Sequence, residues 1–91
     1  MPTAARYQDH TFQQLPLATQ EGLQNYVEHH YPVGHFLTAV LSNDLREAVN
    51  RADNDNLVAL TEIVKWLFWN VPSVCWGSPE NVRAWLARRE D

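Results

Sequence analysis

The chain has one cysteine, Cys75, one lysine, Lys65, and three glycines. A lone cysteine excludes an internal disulfide and fits a reducing, cytoplasmic setting. No apolar run approaches the roughly 18 residues of a membrane span. The stretch MPTAARYQDHTFQQ has none of the apolar core of a secretory signal. The expectation is a cytoplasmic protein without membrane contact. Positive charge is also scarce. Seven lysines and arginines stand against eleven acidic residues, for a net charge of −4. The nearest thing to a basic cluster, Arg83, Arg88 and Arg89, lies beside Glu90 and Asp91. A phosphate-neutralising face is missing, so nucleic acid is not expected as a direct partner.

What is present is a domain-sized chain of 91 residues with 45% hydrophobic content. That excludes general disorder but leaves a thin stability margin, because small domains bury a modest share of their surface. Residues 1–14 lack periodicity and read as a flexible or loosely packed tail, with Tyr7 and Phe12 as its possible anchors. Residues 15–91 read as one helical domain. Leu23, Tyr26, Val27 and His30 have the i, i+3, i+4, i+7 spacing of a buried helical stripe, with Thr19 as N-cap and Pro32 closing the helix.

From Val33 to Ala52 the apolar stripe rotates. Phe36, Leu37, Val40 and Leu41 cluster on one side, whereas Leu45, Ala48, Val49 and Ala52 lie about 100° away. A break at Ser42–Asp44 resolves the conflict, with Asn43 or Asp44 capping the second helix. A further helix is expected from about Asn56 to Asn70, capped by Asp53, Asn54 or Asp55 and closed by Val71-Pro72. Ser78, Pro79 and Glu80 form a strong start signal for a last helix with Val82, Trp85 and Leu86 on its apolar face. Period-two alternation is absent over any useful length. The fold class is therefore all-α, a small bundle of four or five short helices.

All four tryptophans fall between Val64 and Trp85. On a helical wheel Leu57, Leu60, Ile63, Val64, Leu67 and Phe68 fill an arc about 140° wide, a full core face. Trp66 and Trp69 lie off it, near Glu62. Either the carboxyl-terminal segment folds over them, with Trp76 and Trp85 joining the cluster, or they anchor another chain. Tryptophan is enriched among interface hot spots. The candidate partner-binding residues are thus Trp66, Trp69, Trp76 and Glu62. A second candidate is an acidic face of Asp44, Glu47, Asp53 and Asp55, continued by Glu62, which could imitate a nucleic-acid backbone. Helix capping and ordinary solvation explain the same carboxylates.

Catalytic and metal chemistry find little support. His29 and His30 point to different sides of one helix, and His10 and His35 complete no ligand set. Cys75 has no identifiable base. The stretch from Asp53 begins like a calcium loop, but Leu57 occupies a ligand position and no turn glycine follows. No enzyme activity, metal or cofactor is expected.

The segments YPVGHFLTAVLSNDLREAVNRAD, IVKWLFWNVP and CWGSPENVRAWL resemble small proteins of bacteriophage and prophage genomes. Those proteins share a P-x-G-x-F-L-x-A-V-L-x-N-D-L pattern followed by R-A-D and a late G-S-P. The likeness covers Tyr31 to Leu86 and carries no catalytic residue. It implies a phage accessory protein that contacts a host or phage protein, or a second copy of itself. Inhibition or modulation of a host protein or defence system is the corresponding functional expectation.

Overall fold

The computed structural model describes residues 5–89, which form seven α-helical segments and one 3-10 turn. The fold is all-α, with a radius of gyration of 12.3 Å. Helices α1 (Ala5–Gln8) and α2 (His10–Gln13) are single turns divided at Asp9, whose carboxylate accepts from the Thr11 N–H. The loosely packed tail expected for residues 1–14 needs correcting for its described part. Tyr7 and Phe12 are core residues, and the Tyr7 hydroxyl donates to Glu28 at 2.6 Å. Residues 1–4 lie outside the described chain.

Helix α3 (Leu17–His29) begins after Pro16, two residues before the expected Thr19 cap. Thr19 is instead buried, and its hydroxyl donates to Asn56 at 2.6 Å. Leu23, Tyr26 and Val27 form its core stripe as expected. The helix stops at His30, which adopts φ 59° and lets the Tyr31 N–H reach back to the Asn25 carbonyl. This left-handed cap satisfies carbonyls that the helix end leaves open.

Helix α4 (His35–Leu41) and α5 (Leu45–Arg51) are separated at the rotated stripe. Asn43 has φ 63°, the Asp44 N–H donates to the Ala39 carbonyl at 2.8 Å, and the Asp44 carboxylate caps α5 through the Glu47 N–H. Asparagine tolerates the left-handed region better than most residues. The break thus has both a local cause and a packing cause.

Helix α6 (Asn54–Asn70) starts two residues earlier than expected, capped by Asp53 through the Asn56 N–H at 2.8 Å. Its buried residues are Ile63, Trp66 and Leu67. Leu60 is half-buried, whereas Leu57, Val64 and Phe68 are exposed. The core face inferred from the wheel is therefore turned by about 70°. Tyr7 and Phe12 pack on the Trp66 side, with ring centroids 5.9 and 4.7 Å from Trp66. Packing of these two buried rings against Trp66 is what holds that side of the helix inward.

The 3-10 turn Ser73–Cys75 buries Cys75, whose carbonyl accepts from the buried Tyr26 hydroxyl at 2.7 Å. Gly77 has φ 103°, and its N–H reaches the Leu41 carbonyl at 2.7 Å. Helix α7 (Pro79–Leu86) has the expected start, with Ser78 capping the Asn81 N–H. Trp85 packs on α3 rather than on Trp66. Its indole donates to the Tyr26 carbonyl at 2.8 Å, and its ring lies 4.2 Å from that of His30.

Candidate functional site

The four tryptophans divide sharply. Trp66 is 1% exposed, and its indole donates to the Arg6 carbonyl at 2.8 Å. It is a core residue, so its expected place in a partner-binding surface is withdrawn. The amino-terminal segment covers it, where the sequence suggested the carboxyl-terminal one. Trp76 is half-buried and donates to the Val71 carbonyl at 3.4 Å. Trp69 is 77% exposed.

Trp69 belongs to a larger outward face of α6. Its ring meets Phe68 edge-on with centroids 5.1 Å apart, and Phe68 is 67% exposed. Val58 is 85% exposed, and Leu57 and Val64 are also on the exposed side. On the helix these residues form two rows. One is Leu57, Thr61, Val64 and Phe68; the other is Val58, Glu62, Lys65 and Trp69. The first row borders Leu45 of α5 across a small depression, and the second borders Leu15 and Pro16. The helical wheel places three of the four residues of the first row, Leu57, Val64 and Phe68, in the core, and it does not single out Val58 as a surface group. The signal was present as a helix apolar on two opposite sides. Only the three-dimensional position of Tyr7 and Phe12 decides which side is inward.

Glu62 and Lys65 occupy the centre of this face. Their 3.8 Å contact is an exposed i, i+3 pair, a weak interaction in water that leaves both groups free to meet another partner. The four remaining acids have local employment or lie apart. Asp44 and Asp53 are helix caps. Glu47 accepts from Arg51 at 2.6 Å, and that bond lowers its carboxyl pKa. Asp55 stands in the first turn of α6, where a carboxylate complements the helix dipole. These acids do not converge on one continuous face, since Asp44 and Glu47 belong to α5 whereas Asp55 and Glu62 flank the groove at Leu15.

Among the described residues, no group of three or more histidine, cysteine or acidic side chains is placed to hold a metal. His30 is engaged with Trp85, and His10, His29 and His35 are exposed and separate. Cys75 is buried, and burial pushes its thiol pKa up, away from the thiolate a nucleophile requires. No described helix is long and apolar enough to cross a membrane. The fold and this surface define a small all-α domain presenting one aromatic helix face. Comparison with known protein families, curated proteins and solved structures finds no significant match.

Proposed function

We propose that this protein works by protein–protein contact through the outward face of α6, with Phe68 and Trp69 as anchors and Val58, Leu57 and Val64 around them. The observation that carries this reading is the Phe68–Trp69 pair, two large rings in edge contact that remain mostly exposed. Leaving such rings in water forgoes about 1.5–3 kcal/mol of burial for a large apolar side chain. Contiguous apolar patches of this kind mark contact sites on soluble proteins. Trp76 is a rim residue at most, and Glu62 contributes charge at the centre. The resemblance of Tyr31–Leu86 to phage and prophage proteins supports a setting inside a bacterial host cell. There the contact would modulate a host or phage protein, including a defence component. The absence of a converging reactive group in the described residues favours binding over catalysis. Scattered placement of Asp44, Glu47, Asp53 and Asp55 disfavours nucleic-acid mimicry.

The test is affinity capture from bacterial lysate by the wild-type chain and by Phe68→Ala/Trp69→Ala, at low and high salt. The reading expects a captured protein, or the chain itself, to be lost with the double variant while the helical spectrum stays native. It expects the wild-type capture to survive raised salt, since apolar contacts are not screened. Equal capture by a folded double variant overturns it.

A further inference from the structure

The outward face of α6 has a symmetry that selects its own copy. Both of its rows run with spacings of four, three and four residues: Leu57, Thr61, Val64, Phe68, and Val58, Glu62, Lys65, Trp69. Such a row reads the same in either direction. When two copies of α6 are laid antiparallel about a two-fold axis opposite Ile63, Leu57 of one chain falls opposite Phe68 of the other. Val58 falls opposite Trp69, Thr61 opposite Val64, and Glu62 opposite Lys65. Each apolar end thus meets an apolar end, and the one acid and the chain's one lysine on this face meet their opposites twice. A parallel two-fold arrangement would set the first row against the second, leaving Glu62 opposite Thr61 and Lys65 opposite Val64 without an opposite charge to meet, so charge complementarity selects the antiparallel one.

We propose that α6 pairs antiparallel with α6 of a second copy, forming a two-fold symmetric dimer with crossed Glu62–Lys65 ion pairs. This rests on the reading of the same face as a contact surface and names its occupant. The geometry is ordinary for helices. Alternating spacings of three and four residues suit packing at a crossing angle of about 20°, and a two-fold interface is by nature self-complementary. The 17-residue helix is about 25 Å long, enough to place all four residues of each row in contact. Phe68, Trp69, Val58 and their neighbours expose on the order of 600 Å² of apolar surface per chain, taking ~150–250 Å² for a large aromatic side chain. Two such faces reach the ~1,200 Å² at which specific interfaces begin. The area is at the low end, so the dimer should dissociate on the order of micromolar concentration. Glu62 and Lys65 are about half exposed, so neither must leave a strong bond to cross over.

The test is sedimentation of the full chain from about 1 μM to 1 mM, for the wild type, Glu62→Lys, Lys65→Glu and the doubly exchanged Glu62→Lys/Lys65→Glu, with concentrations spanning the dissociation range. The wild type should double in mass across the range. Each single variant puts like charges opposite each other and should weaken self-association by about tenfold or more. The double exchange should restore it, and the two single variants, when mixed, should prefer each other to themselves. Both substituted positions are exposed, and circular dichroism checks that each of the three variants is folded. Single variants that dimerise like the wild type and show no preference on mixing overturn the antiparallel register. A wild type that stays monomeric to 1 mM overturns the second copy as occupant. In that case the contact reading still stands if Phe68→Ala/Trp69→Ala abolishes lysate capture, and falls if it does not.

Discussion

The Trp66 indole N–H donates to the carbonyl oxygen of Arg6 at 2.8 Å, across 60 positions of sequence. This bond and the rings of Tyr7 and Phe12 tie the amino-terminal turns to the longest helix. They also set which side of α6 faces inward and which side is left exposed.

Trp66→Ala should therefore destabilise the fold by about 3–5 kcal/mol, the usual cost of emptying a buried aromatic site. Phe12→Ala should be of similar direction and about 3 kcal/mol or more if the site cannot collapse. Denaturant unfolding monitored by far-ultraviolet dichroism measures both. A change below about half a kcal/mol for Trp66→Ala would place the core elsewhere.

The neighbouring aromatics should behave oppositely. Phe68→Ser and Trp69→Ser remove exposed rings, so each should change the monomer's unfolding free energy by no more than about 0.5 kcal/mol. Measured at concentrations below the association range, this contrast with Trp66 separates the structural tryptophan from the one available to a partner.

Much of the fold was legible from local chemistry. Ser78, Pro79 and Glu80 start α7 because a hydroxyl cap and a proline at the first helical position satisfy a helix end whatever packs on it. Asn43 and Asp44 mark the α4–α5 break because the apolar stripe changes direction there and both side chains suit a chain reversal. The facing of α6 was not legible. It carries apolar groups all round, and the choice is made by Tyr7 and Phe12, in a segment too short to show a period of its own. A wheel centred on the widest apolar arc turns Phe68 and Val64 inward and hides most of the candidate surface, although it leaves Trp69 and Glu62 outside.

Tyr26→Phe should cost about 1–3 kcal/mol, because the fully buried Tyr26 hydroxyl satisfies the Cys75 carbonyl at 2.7 Å and its loss leaves that carbonyl without its side-chain donor. Thermal or denaturant unfolding checks this, and a neutral substitution would contradict the role assigned to the bond.

Burial raises the pKa of Tyr26, and burial with the Glu28 contact raises that of Tyr7, both from an ordinary 10.0. The folded state therefore holds these protons more tightly than the unfolded chain. Their contribution is fully present below pH 10 and is lost as pH rises from there through the higher folded values. Stability should fall in that alkaline window, and Tyr26→Phe should flatten the fall. A wild-type profile that is level above pH 10 would contradict the assignment.

The most direct test of the central claim, that the outward face of α6 receives a second copy, is fluorine NMR of the chain labelled with 5-fluorotryptophan, with Trp69 assigned through Trp69→Phe. The account predicts that the Trp69 resonance moves as concentration rises from about 1 μM to 1 mM, across the expected dissociation range, while the Trp66 resonance stays fixed. A Trp69 line that does not move over that range, or movement of the Trp66 line in its place, would contradict it.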